Sequence, residues 1–184
     1  MSTTEFETKV LDIDTIEIEK KLIWLGAQSY PEVLMRRWVF DMKDKNTRWN
    51  DVLAEWFRLR DEWNWETKLT YKTRASKEIW NTQEIEIAVD SFENCYEMLN
   101  KLIRKWKYYQ ENRRKKIFLN EVEFTIDSRP MIPQYLEIEW KNIESVRKWI
   151  EILWLEWKEF WDQPTSNVYK KYWIDLHNFE TLKF

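Results

Sequence analysis

Short runs in which apolar and charged residues alternate recur along this chain. Phe6 lies between Glu5 and Glu7, Leu59 between Arg58 and Arg60, Ile85 between Glu84 and Glu86, and Ile138 between Glu137 and Glu139. Lys68-Leu69-Thr70-Tyr71-Lys72 and Glu123-Phe124-Thr125-Ile126-Asp127 repeat the pattern. Alternate side chains of a strand share one face, so each run offers one apolar and one charged face. This period predicts strands over residues 5–11, 36–42, 56–62, 66–73, 83–89, 108–119, 121–127 and 134–140. Three stretches switch to a helical period. Residues 14–24 start at Asp14 or Thr15 and stop at Gly26. Ser91 caps a helix to about residue 105, with Phe92, Cys95, Met98, Leu99 and Leu102 on one stripe. Residues 142–153 bury Ile143, Val146, Ile150 and Leu153, and a short helix follows near 166–172. Residues 43–54 read as a loop, and Trp63 and Trp65 mark the turn of a hairpin.

That order describes an α+β protein, with antiparallel strands in one sheet system and helices outside. Closing the sheet into a barrel or tunnel would give the charged faces a shared interior. A single Glu-x-Glu pair is more often a solvated face than a site. Here acid-only and base-only pairs recur in separate segments, which suits a cavity that holds both metal cations and a polyanion.

Composition narrows the chemistry. At 184 residues the chain reads as one domain, 1–184, with a net charge of -3. That balance gives no global basic field for nucleic acid. No apolar run is long enough to span a membrane, and the first residues do not read as a signal peptide. The expectation is a cytoplasmic protein, monomer or homodimer. One cysteine, Cys95, and one histidine, His177, exclude an internal disulfide and a cysteine- or histidine-rich metal site. A metal would have to be held by carboxylates, which favours Mg²⁺ or Mn²⁺.

Two residue counts are anomalous. The chain has 1 Gly and 14 Trp, where ordinary usage would give about 13 Gly. Trp63, Trp65, Trp106, Trp140 and Trp173 fall at turns or element ends, where glycine is favoured. The hypothesis is that most of these are glycines in the organism. A lineage that reads UGA as glycine, translated with a table that reads it as tryptophan, would produce this sequence. Trp clusters are therefore not read as stacking platforms.

The ordered charged segments carry a resemblance. Glu5-Phe6-Glu7-Thr8-Lys9 is similar to the ExExK opening of the CYTH family, the triphosphate tunnel metalloenzymes. Phe57-Arg58-Leu59-Arg60, Leu69-Thr70-Tyr71-Lys72, Glu84-Ile85-Glu86, the basic run Arg113 to Lys116 and Tyr135-Leu136-Glu137-Ile138-Glu139 follow in the family's order. The tail, Tyr169 to Leu176, resembles class IV adenylate cyclase-type members. Relatives usually have Gly where this chain has Trp in that tail and after Glu139. A second ExExK-like run, Glu17-Ile18-Glu19-Lys20-Lys21, falls on the first helix, where residues two apart do not share a face.

The resemblance implies a closed eight-stranded antiparallel tunnel that binds a triphosphate. Lys9, Arg58, Arg60, Lys72, Arg113 and Lys115 are the implied phosphate contacts. A shift of one residue in the basic run would give Arg114 and Lys116 instead. Glu5, Glu7, Asp127, Glu137 and Glu139 are the implied ligands of Mg²⁺ or Mn²⁺. Lys9, Glu84 and Glu86 are the implied catalytic set, the two glutamates orienting the basic residues or a metal-bound water. The implied partner is ATP or another organic or inorganic triphosphate. The activities to separate are cyclisation of ATP to cyclic AMP and pyrophosphate, triphosphate hydrolysis, and binding without turnover.

Overall fold

The computed structural model describes residues 6–42, 54–62, 66–74, 82–103, 107–161 and 165–184. The turn at Trp63 and Trp65, the loop 43–53, Trp106 and Glu5 lie outside these residues. The chain divides into two compact units. The first is Met1–Leu34 with Asn112–Asn178, and the second is Met35–Glu111 with Phe179–Phe184.

Eleven strands and four α-helices are present among the described residues. In chain order they are β1 (Phe6–Val10), α1 (Thr15–Trp24), β2 (Gln28–Ser29), β3 (Val33–Asp41), β4 (Ala54–Asp61), β5 (Thr67–Arg74), β6 (Thr82–Val89) and α2 (Phe92–Leu102). Then come β7 (Lys107–Leu119), β8 (Val122–Ser128), β9 (Tyr135–Trp140), α3 (Ile143–Leu153), β10 (Glu159–Trp161), α4 (Thr165–Lys171) and β11 (Thr181–Leu182). The eight long strands are the eight that alternation predicts. The other three, β2, β10 and β11, have two or three residues and cannot display a period.

In the first unit the order is β10-β1-β9-β8-β7, with β2 also on β7. In the second it is β7-β3-β4-β5-β6, with β11 also on β7. All the registered pairings are antiparallel except the parallel one between β11 and β7. Among the described residues the order is open, ending at β10 and at β6. The tunnel expected from the sequence is therefore not closed by backbone hydrogen bonds.

The first unit packs α1 and α3 on the apolar face of its strands. Val10, Phe124, Ile126, Leu136 and Ile138 meet Ile18 and Leu22 of α1 and Val146, Ile150 and Leu153 of α3 in one core cluster. Asp14 caps α1 by accepting from the backbone N–H groups of Ile16 and Glu17, each at 3.0 Å. Asn142 caps α3 through Ser145 N–H at 2.8 Å. The hairpin from β7 to β8 turns on Asn120 and Glu121, which have φ of 49° and 67°. Two consecutive positive φ values match a primed two-residue turn, which suits the right-handed twist of the strands. In the second unit, Phe92, Cys95 and Leu99 of α2 pack on Phe40 and Leu59. Met98 and Leu102, expected on the same stripe, are exposed, because the sheet covers only a narrow strip of this helix.

Candidate functional site

The opposite faces of the same strands carry the charges, and each unit builds its own cluster. In the first unit Lys9 lies opposite Glu137, Glu7 opposite Glu139, and Glu139 opposite Glu123. Arg114 of β7 lies opposite Asp127 of β8. Lys9 pairs with Glu7 and stands 3.6 Å from Glu137. Arg114 donates through Nη2 to Glu137 at 2.7 Å and to Asp127 at 3.2 Å. Asp127 is fully buried and also accepts from Asn112 at 2.7 Å, from Tyr135 Oη at 3.0 Å and from Arg129 at 2.7 Å.

Opposite charges dominate the electrostatics of this cluster. Burial works against the Lys9 ammonium, yet the charges of Glu137 and Glu7 outweigh it and hold its pKa above the ordinary value. Burial likewise opposes the Arg114 guanidinium, but Asp127 and Glu137 push its pKa well up. Burial alone would raise the Asp127 carboxyl; Arg129 and Arg114 instead hold it far below the usual range. Glu137 is the exception. Burial, and then the charge of Glu7, push its carboxyl up despite Arg114 and Lys9.

In the second unit Arg58 lies opposite Thr70, Arg60 opposite Lys68, and Trp56 opposite Lys72. On the next strand Glu86 lies opposite Thr70 and Glu84 opposite Lys72. Lys72 pairs with Glu84, Arg60 with Glu62, and Lys68 with Glu86 at 3.1 Å. Arg58 reaches Glu86 only at 3.8 Å and Thr70 Oγ1 at 3.4 Å. Its Nε is buried and finds no hydrogen-bond acceptor among the described residues. Burial, followed by the charge of Arg60, pushes the Arg58 guanidinium down to about 10. Burial and the charge of Arg58 also lower the Lys72 ammonium. These cations crowd one another, and an added anion would relieve them.

Most of the residues anticipated from sequence thus fall into two clusters, Glu7, Lys9, Asp127, Glu137 and Glu139 in one unit and Arg58, Arg60, Lys72, Glu84 and Glu86 in the other. Arg113 and Lys115 are a correction. They sit on the opposite side of β7, where Arg113 lies opposite Ser128 and Lys115 opposite Ile126. Lys115 donates to Glu19 of α1 at 2.8 and 3.0 Å. The shifted register holds instead, so Arg114 and Lys116 face the cluster, Lys116 pairing with Glu123 at 2.7 Å. Glu19 consequently has a structural role. The second ExExK-like run lies on α1 with Ile18 buried, as the helical reading requires.

Sequence reasoning missed Arg129, Tyr135, Asn112 and Glu62. Tyr135 was legible, since it shares the parity of Glu137 and Glu139. The register of β7 was legible too. With a two-residue turn at 120–121, Leu119 faces Val122 and counting outward puts Arg114 against Asp127. Arg129 follows β8 in an irregular segment, where no period announces it.

Glu7, Glu137 and Glu139 carry the hard oxygens that Mg²⁺ or Mn²⁺ takes. Among the described residues no three acidic side chains stand close enough to hold an ion as they are now arranged. Lys9 and Arg114 occupy those carboxylates instead.

No family model and no curated protein matches the chain. Solved structures do. A conserved hypothetical protein from Pyrococcus furiosus aligns at a TM-score of 0.64 and 18% identity, over 87% of this chain and 96% of that one. A protein from Vibrio parahaemolyticus provisionally named an adenylate cyclase aligns at a TM-score of 0.59 and 12% identity, over 83% and 86%. The chain has a CYTH-like α+β fold. A Hippeastrum protein, provisionally named an adenylyl cyclase and described as having a dominant triphosphatase activity, shares this fold at a TM-score of 0.56 and 12% identity, over 94% and 96%. No helix among the described residues is long and apolar enough to cross a membrane.

Proposed function

We propose that this chain is a metal-dependent CYTH enzyme acting on a triphosphate, of the class IV adenylate cyclase type. The observation that carries this reading is the crowded cation cluster on β4 and β5. Arg58 is buried beside Arg60, short of acceptors and pushed down to about 10. A ligand bringing several negative charges is what such a cluster favours.

In this reading Arg58, Arg60 and Lys72 bind phosphate oxygens, and Lys9, Arg114 and Lys116 are the cations of the first unit's own cluster. Arg114 and Lys116 stand there in place of Arg113 and Lys115. Glu84 holds Lys72, and Glu86 holds Lys68 and Thr70, so both glutamates orient the basic face. Glu5, Glu7, Glu137 and Glu139 would hold Mg²⁺ or Mn²⁺, and such an ion would supply positive charge to the phosphate oxygens. In the cyclase reaction the ribose 3′-oxygen bonds to the α-phosphorus of ATP as the bond to pyrophosphate breaks, and the hydroxyl proton passes to solvent.

The second reading is triphosphate hydrolysis, with water attacking the terminal phosphorus. The activity described for the Hippeastrum protein favours it. Product analysis after incubation with ATP, with Mg²⁺ and separately with Mn²⁺, tests both. Cyclic AMP with pyrophosphate supports the cyclase. ADP with phosphate moves the chain to the triphosphatases. Neither product from ATP, thiamine triphosphate or inorganic triphosphate would leave a binding module without turnover.

A further inference from the structure

Asp127 has the residue type of a metal ligand, but its surroundings do not suit one. A carboxylate offers about four lone-pair positions. Oδ1 accepts from Asn112, while Oδ2 accepts from Arg114, Tyr135 and Arg129. Arg129 is itself 5% exposed, and its Nε donates to Tyr135 Oη at 2.7 Å. Asp127 thus faces two guanidinium groups and two neutral donors, with no oxygen turned to solvent.

We propose that Asp127, Arg129, Asn112 and Tyr135 form a buried clamp that positions Arg114 against Glu137, and that Asp127 is not a metal ligand. Divalent cations would then bind at Glu5, Glu7, Glu137 and Glu139 and not at Asp127. The fixed charge of Arg129 stands where Asp127 would otherwise attract a second ion. The site therefore takes one ion, an inference that rests on the metal-binding reading of this face.

Mn²⁺ uptake without any nucleotide, followed by electron paramagnetic resonance of the free ion, tests this. The wild-type chain is expected to take one ion. Glu137→Gln is expected to lose it, and Asp127→Asn to stay close to the wild type. Asp127→Asn endangers folding, so Arg129→Leu is measured beside it. Releasing one Asp127 oxygen in Arg129→Leu is expected to tighten Mn²⁺ or add a second ion, which a purely structural arginine would not do. Loss in Asp127→Asn equal to that in Glu137→Gln would overturn the clamp, as would two ions in the wild type or no gain in Arg129→Leu. No uptake by the wild type would overturn the metal reading itself, and this inference with it.

A different observation carries a second inference. Three helices end with the same hydrogen bond, from an N–H to the carbonyl five residues back. It runs from Ala27 to Leu22 after α1, from Leu155 to Ile150 after α3, and from Ile174 to Tyr169 after α4. This motif places a left-handed residue just past the helix, where glycine is favoured because it has no Cβ. After α1 that residue is Gly26, φ 98°. After α3 and α4 it is Trp154, φ 63°, and Trp173, φ 62°. Trp173 is 97% exposed and Trp154 70%, so burial of the indole does not compensate the strained backbone.

We infer that residues 154 and 173 are glycine in the organism's own protein, read from UGA codons. Peptide mass spectrometry on protein isolated from the source cells is expected to show glycine at both. In recombinant protein, Trp154→Gly and Trp173→Gly are each expected to raise the melting midpoint. Tryptophan at both positions in the native peptides, or a lower midpoint in both variants, would overturn the inference.

Discussion

The two charged clusters are built from the same strand pattern and reach opposite electrostatic outcomes. In the first unit the buried cations Lys9, Arg114 and Arg129 all have raised pKa values, because carboxylates surround them. In the second unit Arg58 and Lys72 are pushed down, because burial, with the charge of Arg60 on Arg58 and of Arg58 on Lys72, outweighs the nearby glutamates. The first cluster holds itself together. The second leaves like charges crowded. Removing one partner of a buried ion pair strands the other charge, whereas crowded like charges lose little when one is taken away. Substitutions should therefore separate the units by what they damage.

The largest effect is expected on turnover. Glu7→Ala or Glu137→Ala should abolish it, since each removes a carboxylate from the proposed cation corner. Steady-state rates with Mg²⁺ and with Mn²⁺ measure this, and normal rates in both variants would remove the metal assignment. Next comes stability. Asp127→Asn should cost about 3–5 kcal/mol in a denaturant titration, because Arg114 and Arg129 lose their shared partner. Arg58→Ala, by contrast, should leave the midpoint of the ligand-free protein unchanged or higher. Similar losses in the two variants would erase the distinction between the units. Tyr135→Phe should cost about 1–2 kcal/mol in the same titration, since one acceptor and one donor of the clamp lose a partner.

The smallest effect is a pH dependence. Asp127 is ionised in the folded and the unfolded chain at neutral pH, so it adds no slope there. Its unfolded value is 3.8 and its folded value is far lower. Its contribution is thus fully present above the unfolded value and is lost as pH falls toward the folded one. Urea midpoints taken from neutral pH to about pH 3 should fall most steeply at the acid end. That end should flatten in Asp127→Asn.

Alternation made the long strands legible, because apolar and charged residues take turns along them, even in β6, where Ile85 and Ile87 are exposed. Caps at Asp14 and Ser91 made two helices legible, and an apolar stripe made the helix at 142–153 legible. What stayed hidden depended on contacts that have no period. The three short strands are too brief to alternate. The facing of Arg113 to Lys116 was legible by contrast, since Arg113 and Lys115 share the parity of the buried Ile117 and Leu119, and only the spacing carried by the resemblance favoured the other pair. Arg129 lies beyond the end of its strand, and only the folded chain brings its guanidinium onto Asp127. Closure of the sheet was not legible either, since strand period says nothing about whether the last strand meets the first.

Calorimetric titration of tripolyphosphate and of inorganic phosphate into the wild-type chain and Arg58→Ala tests the central claim most directly. If the second unit's cation cluster receives a triphosphate, the wild type binds tripolyphosphate far more tightly than phosphate. Arg58→Ala then weakens tripolyphosphate much more than phosphate. Equal weakening of both anions, or no preference for tripolyphosphate in the wild type, would contradict the account.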